Sequence, residues 1–157
     1  MNGAGQSIAG RSTCVVAAES SLDALTVAAV SGIHVRWMIA DQPDHPCVDR
    51  ATEYFSKALL KAGGQVYRYH GGFMHAKMIV VDGEVASVGS ANMDIRSFKL
   101  NFEINAFMYD VHLATKLMGI FENDIALAEE MTLGKYAQQS VWIRCKQALS
   151  RLFSPIL

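Results

Sequence analysis

His75-Ala76-Lys77-Met78-Ile79-Val80-Val81-Asp82-Gly83, followed shortly by Gly89-Ser90-Ala91-Asn92, decides how this chain is read. Met78 to Val81 is a run of large apolar residues, the composition of a buried strand. Asp82-Gly83 between two apolar runs signals a two-residue hairpin whose central residues take positive φ. The spacing predicts a motif strand from Met74 to Val81, a tight turn, and a return strand from Glu84 to Val88. That return carries Gly89-Ser90-Ala91-Asn92 back toward His75. Residues two apart in a strand share a face, so His75 and Lys77 are expected side by side. A proton-transferring nucleophile beside a fixed cation suits phosphoryl chemistry, which needs a group to attack or protonate and charge to hold the oxygens.

Working outward, Ser20-Ser21-Leu22-Asp23 reads as a helix start, with Leu22, Leu25 and Ala29 turned inward and Gly32 as the stop. Ile33 to Ile39 alternates as a strand. The prolines of Asp41-Gln42-Pro43-Asp44-His45-Pro46 mark a loop. A helix from about Val48 to Ala62 follows, burying Tyr54, Phe55, Ala58 and Leu59, and Gln65 to Tyr69 is a further strand. With a short strand at Cys14 to Ala18, the order is strand–helix–strand–helix–strand, which predicts parallel pairing. Beyond the hairpin come a turn around Met93 to Lys99, a strand from Phe102 to Tyr109 with Glu103 and Asn105 on one face, and helices at Val111 to Ala128 and Tyr136 to Phe153. The fold class expected is α/β, a mixed sheet flanked by helices. Residues 1–18 are expected to be a poorly defined segment, with 1–13 poorly ordered, and 19–157 the domain.

At 157 residues the chain suits one domain with a real core. Hydrophobic residues make up 51% and charged residues 18%, so disorder is not expected. The net charge of −1 gives no polyanion signature, and nucleic acid is not expected as a partner. Cys14, Cys47 and Cys145 show no C-x-x-C spacing, which argues against a zinc site or a disulfide framework and for reduced thiols. Residues 1–13 lack an apolar signal-peptide core. No apolar run reaches the roughly 18 residues of a membrane span.

Each candidate has an ordinary reading. A lone strand histidine is more often structural, but a lysine one pleat away would be costly if buried without a partner, so the pair is expected to open onto a cleft. Asp82 is explained by its hairpin position. Ser90 and Asn92 could be plain loop residues, yet a hydroxyl and an amide after a glycine suit phosphate oxygens. Glu103 could orient His75 through one ring nitrogen, although a glutamate on a strand is more often simply solvated.

H-x-K-x-x-x-x-D followed by G-S-x-N resembles the HKD signature of the phospholipase D superfamily. The run Gly89-Ser90-Ala91-Asn92-Met93-Asp94-Ile95-Arg96-Ser97-Phe98, then Leu100-Asn101-Phe102-Glu103-Ile104-Asn105, is similar to the C-terminal catalytic half of bacterial cardiolipin synthases. The resemblance covers about residues 19 to 157 and implies one phospholipase D-like half-domain. It implies a catalytic set of His75, Lys77, Asp82 and Glu103, with Lys77, Ser90 and Asn92 holding the phosphate and Asp82 acting away from it. It also implies a phosphohistidine mechanism without metal or other cofactor, in which two phosphatidylglycerols give cardiolipin and glycerol. The second-half histidine is usually the acid/base in such enzymes.

One HKD motif is present where a full synthase carries two, together with an N-terminal anchor. The second motif is expected from a homodimer partner or an N-terminal half. Two alternatives stay open, a homodimeric phosphodiesterase or nuclease and a folded but inactive domain. From Met131 to Leu157 there are four basic residues and no acidic one. Trp142, Cys145, Leu149, Leu152 and Phe153 share a helical face there, which suits either core packing or an anionic lipid surface. The phospholipid substrate points to peripheral contact with a bacterial cell membrane from the cytoplasmic side.

Overall fold

The computed structural model describes residues 6–13, 15–16, 19–41 and 46–137. Its main sheet is built first from β1 (Ser7–Ser12), which lies parallel to β3 (His34–Ala40), itself parallel to β4 (Gln65–Tyr69). The crossover helices are α1 (Glu19–Val30) and α2 (Pro46–Lys61). On the other side of β1 the ladder turns antiparallel, through β5 (Met78–Val81), β6 (Val85–Gly89) and β8 (Asn105–Tyr109). Helix α4 (Val111–Ile125) then returns the chain to β9 (Ala128–Met131), antiparallel to β4 at the far edge. The strand order is β8-β6-β5-β1-β3-β4-β9, a mixed seven-stranded sheet, as the α/β reading expects. A small pair joins β2 (Val15–Val16) to β7 (Met93–Asp94), just before α3 (Ile95–Lys99). Helix α5 (Leu133–Ala137) packs on α2.

Alternation along the strands separates two cores. Val35, Trp37 and Ile39 of β3 face Leu22 and Leu25 of α1 and Phe55 and Leu59 of α2. Met38 and Ala40, with Val80 of β5 and Ala86 of β6, face Ala114 and Phe121 of α4. Gly10 lies at the middle of β1, and any side chain there would run into the indole of Trp37. The hairpin forms as the Asp-Gly signal requires: Asp82 has φ 55 and Gly83 φ 67, and the Glu84 N–H donates to the Val81 carbonyl at 3.0 Å.

Several boundaries differ from the sequence reading. Ser7–Ser12 is a central strand of the sheet instead of part of a poorly ordered leader. The βαβ order holds, but its first strand is Ser7–Ser12; of the Cys14 to Ala18 strand only Val15–Val16 is seen. The motif strand begins at Met78 rather than Met74, and the last β8 residues begin at Asn105 rather than Phe102. Ala128–Met131 is a strand where the end of a helix and a loop were expected; Glu129 and Glu130 adjoin without alternation, which hid it. The helix expected from Tyr136 to Phe153 lies beyond Ala137 outside the described residues, with Trp142, Arg144, Lys146 and Arg151, as do Cys14 and Cys145 and the side chains of Cys47 and Tyr54.

Candidate functional site

Strand direction gathers the candidate residues. β1 and β5 are antiparallel, so the end of β1, at Ser12 and Thr13, lies beside the entry to β5, at residues 74–77. β6 runs back against β5 and ends there with Gly89, and β8 runs back against β6 and starts there with Asn105, two residues after Glu103. Four segments therefore deliver side chains to one end of the sheet. Gly89 fits because a Cβ would meet the side chain of Asn105 and the backbone of Ile104.

Residues 74–77 are extended without a ladder. The Thr13 hydroxyl donates to the Met74 carbonyl at 3.3 Å, and the Gly89 N–H to the Lys77 carbonyl at 3.3 Å. Phe73, His75 and Lys77 alternate along this piece. The rings of Phe73 and His75 are stacked, with centroids 5.9 Å apart and planes at 6°. Lys77 Nζ lies 2.8 Å from His75 Nε2 and 3.4 Å from Thr13 Oγ1. His75 is exposed and Lys77 is buried, 6% accessible. An ammonium has no lone pair, so in this contact Nζ donates and Nε2 accepts.

Glu103 gathers the donors beside this pair. Hydrogen bonds from the Ser90 hydroxyl first, then from Asn101 Nδ2 at 3.0 Å, hold its carboxyl below the usual range. The Ser97 hydroxyl at 3.4 Å and the charge of Lys77 add to this, against opposing desolvation. This corrects the expectation that Glu103 orients His75 of the same chain: its hydrogen bonds go to Ser90, Ser97 and Asn101, and that of His75 goes to Lys77. Glu103 precedes β8, in the loop after α3, and it turns to that loop's donors. Ser90 differs from expectation as well. Its hydroxyl hydrogen is given to Glu103 while its oxygen accepts from the Ile104 N–H at 3.0 Å, so it reaches a phosphate only by exchanging partners. Asn92 Oδ1 accepts from the Ser12 hydroxyl at 3.3 Å, and the Asn92 N–H donates to Ser97 Oγ at 3.1 Å.

Asp82 stands apart from this set. It lies five residues beyond Lys77, roughly 16 Å along an extended chain. There its carboxylate accepts from the Ser7 N–H at 2.6 Å and the Ser7 carbonyl accepts from its own N–H at 2.9 Å. These bonds pin the start of β1 to the hairpin, away from His75 and Lys77, as the hairpin reading of Asp82 expects.

Sequence reasoning missed Ser12, Thr13, Phe73, Ser97 and Asn101. Ser97 had a signal: Asp94-Ile95-Arg96-Ser97 is a capped helix start, and the Ser97 N–H donates to Asp94 Oδ1 at 2.6 Å. Ser12 and Thr13 had none, since they belong to the strand that was read as a leader.

Two cavities meet at Lys77. One, of about 470 Å³, is lined by His75, Lys77, Val88, Ser90, Ile104 and Ala106. The other, of about 350 Å³ and mostly apolar, has Lys77, Asn92 and Glu103 at one end. Phe98, Leu100, Phe102 and Ile104 are exposed around this rim. Among the described residues, no three of His, Cys, Asp or Glu come together as metal ligands.

Comparison with known proteins gives a consistent result. A family model described as cardiolipin synthase, PLD-like domain, matches residues 1–125. The major cardiolipin synthase ClsA of Bacillus subtilis is 54% identical over 138 residues, 88% of this chain and 29% of that protein. The cardiolipin synthase of Oceanobacillus iheyensis is 48% identical over 139 residues, with the same coverage of 88% and 29%. The chain thus spans less than a third of the length of these curated relatives. Among solved structures, Nuc of Salmonella typhimurium, a phospholipase D family member, has a TM-score of 0.72 at 20% identity, covering 80% of this chain and 82% of that one. Phosphatidylserine synthase of Haemophilus influenzae has a TM-score of 0.69 at 14% identity, covering 96% of this chain and 39% of that one. At such identities these structures speak to the fold alone.

Proposed function

Because the chain belongs to the cardiolipin synthase, PLD-like domain family, we propose that it is one histidine–lysine lobe of a phosphatidyltransferase. Two phosphatidylglycerols enter, and cardiolipin and glycerol leave. The observation that carries this reading is the buried Lys77 ammonium 2.8 Å from the exposed His75 imidazole. A positive charge held in a site of low dielectric stabilises the charge that builds on phosphate oxygens, and it needs no reorganisation when it does so. Relatives that match 88% of the chain are named cardiolipin synthase, which favours this reading over a phosphodiesterase or nuclease.

The chemistry uses two imidazoles. One attacks phosphorus through nitrogen and forms a P–N bond, while the P–O bond to glycerol breaks and the other imidazolium gives its proton to the departing oxygen. The hydroxyl of a second phosphatidylglycerol then gives its proton to that other imidazole and attacks phosphorus, breaking the P–N bond. His75 is one of the two. Lys77, which caps Nε2, turns to the phosphate oxygens as the lipid enters and leaves the Nε2 lone pair free. Asn92 and Ser90 sit close enough to add neutral donors.

The second histidine comes from another motif-bearing lobe, either a second copy of this chain or a further part of a longer protein. Two features support that. Among the described residues His75 makes its hydrogen bond through Nε2, and the apolar rim of Phe98, Leu100, Phe102 and Ile104 beside Glu103 suits a covering lobe. Contact with a bacterial membrane surface follows from the lipid substrate, and the four basic residues after Met131 suit anionic headgroups. No described helix is long and apolar enough to cross a membrane.

The test is molar mass in detergent by light scattering, beside conversion of phosphatidylglycerol to cardiolipin in the same sample. A dimer that turns over places two copies of His75 at one phosphate. A monomer that gains activity only with a separately supplied lobe assigns the second histidine to that lobe. A dimer with no activity and no binding of a glycerol phosphodiester would remove the reading.

A further inference from the structure

The apolar cavity has no part in the steps above, yet it opens from the same lysine. Its floor is the face of β5, β6 and β8 turned away from α4: Ile79, Val81, Val85 and Phe107 project there, with Trp37 from β3 and Phe98 from the rim loop. Among the described residues, α1 packs on β3 and α2 on β4 on this side of the sheet. Its polar lining includes Arg11, Ser12 and Asn105 beside Lys77, Asn92 and Glu103, and the last three belong to the phosphate site. A ligand whose phosphate lies at Lys77 therefore has an apolar chamber within one side-chain length of it. Its volume of about 350 Å³ is in the range of small-molecule sites and exceeds what a phosphate or a glycerol needs.

We propose that this cavity is an acyl-chain subsite, which takes the first part of one fatty-acyl chain of the phospholipid whose phosphate rests at His75 and Lys77. The proposal rests on the phosphatidyl-transfer reading and adds where the lipid tail goes. Glycerol and water gain nothing in a chamber of this composition, whereas each buried methylene favours a chain. The subsite separates the lipid's two ends: the tail side of the phosphodiester is held under Phe98 and Phe107, and the glycerol side is left facing the His75 cavity, from which the leaving alcohol departs.

Trp37 makes the test direct, because it lines the cavity and the chain has only one other tryptophan, Trp142. In a Trp142→Phe chain, emission reports Trp37 alone. The probes are monoacyl phosphatidylglycerols with six- and eight-carbon chains bearing a terminal bromine, used below their micelle concentrations, and glycerophosphoglycerol, which has no chain. Bromine is expected to quench Trp37, and affinity to tighten about fourfold per added methylene. Val85→Phe, which fills the chamber from a half-buried position, is expected to abolish both effects, while glycerophosphoglycerol still shifts the His75 ring resonances. Circular dichroism and the thermal midpoint check that this variant folds, and Val81→Phe provides an independent filling.

If glycerophosphoglycerol shifts His75 but bromine leaves Trp37 unquenched, the acyl subsite is overturned and the phosphate site stands. Quenching that persists undiminished in both folded filling variants also overturns it. If glycerophosphoglycerol does not disturb His75 at all, the phosphatidyl-transfer reading fails, and the subsite with it.

Discussion

Replacing Lys77 by methionine keeps the length of the side chain while removing its charge and its three N–H donors. The parent residue is 6% accessible, and desolvating an ammonium at such a position costs several kcal/mol. Offsetting that cost are the contact with His75 at 2.8 Å, the longer one with Thr13 at 3.4 Å and attraction to Glu103. Methionine removes the cost and the offset together. The carboxylate left behind is not stranded, since Ser90, Asn101 and Ser97 still donate to it. Unfolding free energy is therefore expected to stay within about 1 kcal/mol of the parent. Ligand binding is expected to respond quite differently. A hydrogen bond to a charged group contributes about 1.5–3 kcal/mol, so affinity for glycerophosphoglycerol should fall about 10- to 100-fold. Turnover of phosphatidylglycerol by the active assembly should fall about 10²–10³-fold, as for the loss of one preorganised donor. Urea unfolding, calorimetry and lipid conversion on one preparation measure all three. A loss of several kcal/mol in stability with unchanged affinity would refute the reasoning, because it would make Lys77 a structural cation.

His75→Ala should abolish phosphatidyl transfer with little change in the urea midpoint, because the ring is exposed and its partners are Lys77 and Phe73. Unfolding of this variant would instead mark the histidine as structural. Ser90→Ala removes the first cause of the depressed Glu103 carboxyl, so its titration, followed by carboxyl NMR, should move up toward the ordinary value of 4.5. In the parent, the stabilisation linked to Glu103 is complete above that unfolded value and is lost as pH falls through the lower folded one. The Ser90→Ala chain should accordingly lose less stability on acidification over that interval. Gly10→Ala should cost about 1–3 kcal/mol by forcing the Trp37 indole aside. In a Trp37→Leu chain the same change should cost clearly less, and an equal cost in both would sink the close-approach argument.

How much was legible depended on which interactions are local. The hairpin was readable because Asp82-Gly83 encodes its own backbone, and both residues do take positive φ. The parallel βαβ order was readable from alternation at Ile33 to Ile39 and at Gln65 to Tyr69. The first strand was not. Ser7–Ser12 is small and polar by composition, and its place at the middle of the sheet is set by neighbours far away in sequence: β3 on one side, β5 on the other, and the Trp37 ring across Gly10. A glycine that reads as a flexible leader is there because an indole needs the space. Edge strand β9 was hidden for a related reason. Glu129 and Glu130 belong to no strand pattern, and the ladder with β4 makes the strand.

The site divides along the same line. His75 and Lys77 are two residues apart, so their contact follows from extended backbone even though the ladder starts only at Met78. Spacing cannot say which way a carboxylate turns. Reading β8 from Phe102 puts Glu103 on a strand near His75; with β8 starting at Asn105, the glutamate lies in the loop after α3 and turns to Asn101 of that loop, Ser97 of α3 and Ser90 just past β6. That shift of three residues takes its hydrogen bonds to Ser90, Asn101 and Ser97, which hold its carboxyl below the usual range, with the charge of Lys77 a smaller contribution. The α3 cap at Asp94 fixes Ser97, and Ser97 in turn is one of the donors that settle Glu103.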